Sequence, residues 1–518
     1  MAADTGTGTR TPPKAPARVI VVGSGLAGLS ASSELVSRNI PVHIVERQQK
    51  PGGNSIKASS GINGAPTRYQ PPGSDSAASF YEDTLRSVSA EVMATMTARR
   101  QSLISTLTNS SASAINWLVD EKGIDLSRVA QLGGHSHART HRGAGTTPPG
   151  ASIVLTLLKQ LKENPLVKLE TGTTVTKVLK SDNNEVVGVE VQRNGSSSEA
   201  GGEAEAEVGV ETEVEVLKGP VVFTSGGFAG DSKGILAHYR PDLAGYPSTN
   251  EALPGSQGLL TEIGAQLLDM DLVQIHPTGF IDPKEPYKAT KFLAAEMLRG
   301  EGGILLRHGS RFIDELQTRK VVTGAITSAA AGPVDMNESM SESMHDSESE
   351  SKSVPVKQWH TLLLLDEGAY EAAKAHVDFY LWKGLMRKTT VGELNHADTT
   401  LESIKTYSAV VQGKAVDPLG RTTFGRWKLS DPTLDSVVYV GTVTPVVHYT
   451  MGGVVFTPNA EVLDATTGMP IRGLWAAGEI TGGIHGANRL GGSSLLECVV
   501  FGRIAGQNAA AYVEGKSQ

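Results

Sequence analysis

Short apolar runs, most of them closed by glycine, recur along this chain. Arg18–Val22 (RVIVV) is a β-branched run that reads as a strand. GSGLAG follows at once, and LSASSELVSRN beyond it reads as a helix. Pro41–Glu46 (PVHIVE) is a second short strand, ending in an acid. EVVGVEVQR and VETEVEVL both alternate with period two. They predict a hairpin whose extended tip is the small, acidic stretch 195–207. Near the other end, GLWAAGEITGG (473–483) reads as strand, turn, acid and glycine. HGANRLGGSSLLECVVFGRIAG then reads as a glycine-rich turn entering a helix. Two stretches lack periodicity. Residues 1–17 are polar, without the apolar core of a signal peptide, and predict a disordered tail. Asn337–Ser353, rich in Ser and Glu, predicts a solvated loop, with a phosphorylated or partner-binding loop as the second reading. No run of 18 apolar residues occurs, so no transmembrane helix is expected.

Composition narrows this picture. At about 150 residues per domain, 518 residues predict two or three domains. A hydrophobic fraction of 39% is ample for a core. Lys+Arg 47 against Asp+Glu 55 gives −8, which leaves no basic surplus for a phosphate backbone and argues against nucleic-acid binding. One cysteine, Cys498, cannot form an internal disulfide or hold an iron–sulfur cluster alone. No metal site is expected. The 58 glycines lack a collagen period and point to tight turns and close backbone approach to a ligand.

Gly23, Gly25 and Gly28 occupy the places of G-x-G-x-x-G between the first strand and its helix, and Glu46 follows Gly28 by 18 residues. The first glycine makes the turn. The second lets the backbone approach a pyrophosphate at the helix N-terminus, where the dipole favours an anion. The third lets the helix lie close on the strand, and Glu46 can accept from a ribose hydroxyl. A further pair, Gly52 and Gly53, with Asn54 and Ser55, suits a loop along an extended cofactor. With a second glycine-rich helix start near residue 490, one ligand held by both ends of the chain is expected. The middle would then form another domain.

Eight strings in order carry a resemblance: VIVVGSGLAGLSAS, GGNSIKASSGIN, GGHSHARTHR (133–142), HPTGF (276–280), AAEMLRGEGGILL (294–306), SRFIDELQTRK (310–320), VHYTMGGV (447–454) and AAGEITGGIHGANRLGGSSLLECVVFGRIAG (476–506). The chain resembles the flavoprotein subunits of fumarate reductase and succinate dehydrogenase, and above all the soluble fumarate reductases of fungi and other microorganisms. The resemblance implies an α/β fold. A Rossmann-like FAD domain (18–245 and 441–512) would be split by an inserted α+β capping domain (246–440), which carries the 337–353 loop.

Reducing fumarate needs a hydride on one carbon, a proton on its neighbour and cationic grips on two carboxylates. Arginine suits those grips because its planar fork can bind in a bidentate way. The resemblance makes Arg319 the proton donor, with Glu296 and Arg299 as its relay. At i and i+3, those two would share a helix face and could pair. His276, His448 and Arg489 are implied as substrate contacts. FAD contacts are implied at Gly23, Gly25, Gly28, Glu46, Gly53, Asn54, Ser55, Thr224, Ser225, Gly226, Gly478, Glu479, Ser494 and Leu495.

The chain also departs from its relatives. Gln257 stands where many have an acid, which removes a charge beside the cofactor. Ala295 replaces a threonine of some bacterial relatives, and Tyr449 the second of two adjacent histidines. Residues 55–67 contain no histidine, so FAD is expected to be non-covalent. The electron donor stays open between reduced free flavin, NADH and a redox protein. Cytosol is the default compartment, with mitochondria or endoplasmic reticulum as alternatives. Other readings are a same-fold enzyme for another unsaturated acid (urocanate-like) or a ketosteroid-like substrate, and a flavin-binding protein without turnover.

Overall fold

A computed structural model describes residues 18–193, 214–328 and 356–517. The tail 1–17, the hairpin tip 195–207 and the acidic loop 337–353 lie outside the described residues. Among those described, no helix is long and apolar enough to cross a membrane.

The two ends of the chain build one six-stranded sheet. Its order is Glu461–Leu463, Pro470–Ala476, Val221–Phe223, β1 (Val19–Val22), β2 (Val42–Val45) and Val167–Glu170. All neighbours are parallel except the first pair. Alternation along β1 explains what covers each face. Val19 and Val21 pack with α1 (Leu26–Ser37) and the C-terminal helix Ser493–Ser517. Ile20 and Val22 pack with Val175, Val189 and Leu217 of a three-stranded antiparallel layer. That layer contains the expected hairpin, with Val186–Arg193 paired to Val214–Lys218.

The helices on the first face touch backbone to backbone. A Cβ on Gly502 would lie 2.5 Å from the Ala27 carbonyl, and one on Gly506 2.4 Å from that of Ala31. Arg503 Nε donates to Glu34 Oε1 at 2.5 Å beside this seam. Glycine spacing on the last helix thus sets how closely it lies on the first.

The middle of the chain forms a seven-stranded antiparallel sheet around the long strand Val437–Thr450. Val273–Phe280, Thr361–Leu365 and Arg387–Thr390 all pair with that strand. Again the faces divide by alternation: Leu363 and Leu365 belong to a core with Val377 and Tyr380, Leu364 to one with Ile404 and Trp427. The long strand is continuous across position 440, where a domain boundary was expected. One strand therefore belongs to the middle sheet and delivers His448 and Tyr449 towards the nucleotide half.

Candidate functional site

The nucleotide-facing groups gather at the C-terminal ends of the parallel strands. Gly23 has φ +99° between β1 and α1, and a Cβ there would meet the Thr224 carbonyl at 2.6 Å. Thr224 Oγ1 donates to the carbonyls of Val22 and Gly23, at 2.7 and 3.1 Å, pinning the loop. A Cβ on Gly28 would stand 2.1 Å from the Gly23 carbonyl. By contrast, a Cβ on Gly25 would meet only Ser55 Oγ at 3.7 Å, and Gly226 faces open space. The loop is thus closed behind by strand 221–223 and open in front, as a ligand cradle requires. Ser55 Oγ accepts from the first amide of α1, at Leu26. Gly53, also at positive φ, lies against Gly25.

Glu46 is buried at the tip of β2, where Ser24 N and Oγ donate to its Oε2 at 3.0 and 2.6 Å. Ser24 was not expected in this role. Glu46 and Ser225 line a cavity with Gly23, Thr174 and Leu259. Asn54 Nδ2 donates to Asn250 Oδ1, tying this loop to the middle of the chain.

From the other end, Gly478 (φ +79°) and Glu479 arrive above Ala27. Glu479 accepts from Thr450 N at 2.8 Å, and burial pushes its carboxyl up to about 7. Ser494 and Leu495 stand in the first turn of the helix Ser493–Ser517, where the helix dipole favours an anion. Gln257 is buried with neither amide atom partnered. Such orphaned groups are rare inside proteins, and this one suits a bound polar molecule. The tight glycine loop, two helix N-termini and this orphaned amide fit a dinucleotide of FAD's kind.

The second group lies where the middle sheet meets the glycine-rich turn. Arg319 is the first residue of helix Arg319–Thr327, whose N-cap Thr318 accepts from Val321 N. Its Nε donates to Glu296 Oε2 at 2.8 Å, its Nη2 to the same oxygen at 2.5 Å, and its Nη1 to Gln274 Oε1 at 2.8 Å. Gln274 Nε2 donates onward to the Arg489 carbonyl at 2.8 Å. One amide thus ties two arginines together. It stands two residues before His276, so period-two alternation on that strand was the signal that could have found it.

His276 and His448 sit on neighbouring antiparallel strands with ring centroids 5.4 Å apart. His276 Nδ1 accepts from Thr278 N, which leaves the proton on Nε2, and that buried N–H has no partner. Burial, with Arg319 nearby, holds both imidazoles well below their ordinary pKa. Both are therefore neutral, with His276 a donor at Nε2. Arg489 Nε is also buried without a partner, and burial lowers its pKa to about 9. Unsatisfied donors converging from His276 and Arg489 suit a small anion.

The expected Glu296–Arg299 pair is not formed. The helix there is one turn long, Met297–Gly300, and Glu296 enters it with helical dihedrals, so the backbone spacing is met but the two side chains turn to other partners. Arg319 takes the carboxylate instead. Arg299 Nη1 donates to the Glu315 carbonyl at 2.6 Å, and its Nε and Nη2 are buried without partners. Burial would raise the Glu296 carboxyl, but Arg319 and Arg299 outweigh it and hold the group below the ordinary range. Ala295 packs among apolar residues beside Phe280 and Leu298.

A buried clasp supports the site from behind. Arg139 binds Asp75 through Nε and Nη2, at 2.8 and 2.9 Å, and Asp83 through Nη1 at 2.5 Å. Beside it, His135 Nε2 lies 3.0 Å from the Gly491 carbonyl, next to Arg489. Burial lowers His135, and likewise His141, to about 4. Both imidazoles are neutral when folded but take up protons near 6.5 when unfolded. Their stabilisation is complete above 6.5 and lost as pH falls towards 4. Each should cost about 2 kcal/mol by about pH 5. Urea melts from neutral pH downwards check this, and a midpoint unmoved across that window would refute it.

Comparison with known proteins agrees with this geometry. A family model described as an FAD binding domain matches residues 18–495. Fumarate reductase 1 of Saccharomyces cerevisiae is 43% identical over 511 residues, covering 95% of this chain and 98% of that protein. Fumarate reductase of Schizosaccharomyces pombe is 37% identical, covering 95% of this chain and 89% of its own length. The open conformation of a flavocytochrome c3 fumarate reductase superposes with a TM-score of 0.68 at 29% identity, over 96% of this chain and 78% of that one.

Proposed function

Since the chain belongs to the FAD-binding flavoprotein family of the yeast fumarate reductases, we propose that it reduces fumarate to succinate, with FAD held non-covalently in the cradle described above. The observation that carries this is the set of buried donors around one place: His276 Nε2 and Arg489 Nε without partners, His448 beside them, and Arg319 tied to Arg489 through Gln274.

FAD, when bound, supplies the hydride. The protein's part is grip, charge and a proton. Arg489 and His448 would take one carboxylate and His276 the other, fixing the C=C bond. Neutral imidazoles can donate to a carboxylate without competing for its proton. Arg319 would hand a proton to the carbon beside the one receiving hydride. Glu296, hydrogen-bonded to two of its nitrogens, would stabilise the cation and return the proton. Arg299 would act on the Glu296 carboxylate through its charge, since among the described residues no side-chain hydrogen bond joins the two. We carry a division into a nucleotide half and a middle domain with this reading; the separate six- and seven-stranded sheets support it, while the strand Val437–Thr450 carries the middle sheet past the expected boundary at 440. Reduced free flavin, NADH or a redox protein would supply the electrons.

An anaerobic reoxidation experiment tests this. The flavin of the purified protein is reduced, then fumarate is added to one aliquot, urocanate to a second and a 3-ketosteroid to a third. Rapid return of the oxidised flavin band is expected with fumarate. Return with another substrate and none with fumarate would overturn the assignment.

A further inference from the structure

Arg489 is buried, and among the described residues its guanidinium makes one hydrogen bond, from Nη1 to the neighbouring Leu490 carbonyl at 3.2 Å. It lies against an aromatic face, with the Glu479 and Glu296 carboxyl groups acting on its charge without a hydrogen bond to it. Cζ lies 4.2 Å from the centroid of the Tyr449 ring. That ring is itself locked. Tyr449 OH donates to Glu497 Oε1, and Glu497 Oε2 lies 2.6 Å from His485 Nε2. The imidazole stands edge-on to the tyrosine at 6.0 Å. Tyr449, Glu497 and His485 are all buried.

The three come from different places: Tyr449 from the end of the long strand, His485 from the glycine-rich turn, and Glu497 from the last helix. Gln274, which holds the Arg489 carbonyl, is the direct cross-strand partner of Tyr449. One strand pair therefore holds both ends of the arginine.

The chemistry of this support is unusual for a buried arginine. An ionised carboxylate would hold the guanidinium more tightly, but it would also neutralise it. Burial pushes the Glu497 carboxyl well above, and His485 well below, their ordinary values, so they share a proton as a neutral pair. A desolvated π-face orients a cation while leaving its N–H edge free. Arg489 is thus fixed in place without being discharged.

We propose that Tyr449, locked by Glu497 and His485, is a positioning and specificity residue that presents the edge of Arg489 to one carboxylate of the substrate and so sets a preference for dicarboxylates over monocarboxylates. This rests on the functional reading above. The test compares wild type with Tyr449→Leu, which removes the face, and Tyr449→Phe, which keeps the face and removes the lock. KM and kcat are measured for fumarate and for the monoacid acrylate. Binding of unreactive malonate is read from the oxidised flavin spectrum, with flavin content and thermal midpoint as controls.

Tyr449→Leu should raise the fumarate KM and the malonate Kd by about tenfold to thirtyfold. The acrylate KM should move far less, so that the dicarboxylate preference falls by about tenfold. Tyr449→Phe should fall between. An unchanged malonate Kd, or equal losses for fumarate and acrylate as a merely structural role would give, overturns the proposal. Should Tyr449→Leu lose its flavin, Tyr449→Phe decides: a malonate Kd equal to wild type overturns the proposal. Wild type that binds malonate but does not reduce fumarate would refute the functional reading, and the malonate comparison would still decide this one.

Discussion

Arg319→Ala should lose about a thousandfold or more in kcat for fumarate while the purified protein keeps its flavin. The loss has two sources. The proton donor is gone, and positioned general acids contribute on the order of a hundred- to ten-thousandfold. Glu296 also loses its hydrogen-bonded cation, which raises its carboxyl, with Arg299 left as the other cation acting on it. Flavin retention is expected because the Arg319 hydrogen bonds run to Glu296 and Gln274, on the substrate side, and not to the glycine loop. Arg319→Lys keeps a charge but cannot span Glu296 and Gln274 together, so it should recover little. Stopped-flow reoxidation of the reduced flavin by fumarate gives the chemical step directly. Full-rate reoxidation in Arg319→Ala would remove that residue from the proton path.

The second large effect concerns folding. Arg139→Met should destabilise the protein by about 3–5 kcal/mol, because it leaves buried Asp75 without its cation and Asp83 with only the exposed Arg86. Arg139 is fully buried, with Asp75 and Asp83 bound to it and the Phe80 ring 4.9 Å from its Cζ. Asp83 also accepts from Ser136 N and Oγ at 2.8 Å, so the clasp sets the path of the chain around His135. Through the His135 contact to Gly491, its failure would reach the Arg489 turn. Urea denaturation with flavin release followed in parallel checks this. An unfolding midpoint equal to wild type would show that the clasp contributes nothing.

These two residues also mark where sequence reasoning was strong and where it stopped. The β1–α1–β2 unit is legible because its signals are local: a β-branched run, three glycines with separate steric jobs and an acid. Arg18–Val22 and Pro41–Glu46 were expected as strands, and Val19–Val22 and Val42–Val45 are observed. Arg319 and Glu296 could be named only through the resemblance; no spacing says that residues 23 apart share a hydrogen bond. The Glu296–Arg299 expectation failed for a physical reason. Helical spacing brings side chains within reach but does not choose between partners, and here Arg319 takes the Glu296 carboxylate while Arg299 turns to the Glu315 carbonyl. The Arg139 clasp was invisible for the opposite reason. Its partners are brought together by tertiary packing alone, and no local pattern encodes it.

The glycine seam between α1 and the last helix has a consequence for how the protein is made. Translation delivers residues 19–45 long before Pro470–Ala476, the strand that completes the sheet beside Val221–Phe223. Ala27 and Ala31 wait for Gly502 and Gly506. Until then, the apolar face of α1 is exposed on the nascent chain, with the whole middle sheet emerging in between. Cofactor capture therefore waits until the helix Ser493–Ser517 has emerged, and the interval before it is when chaperones and aggregation compete for the chain.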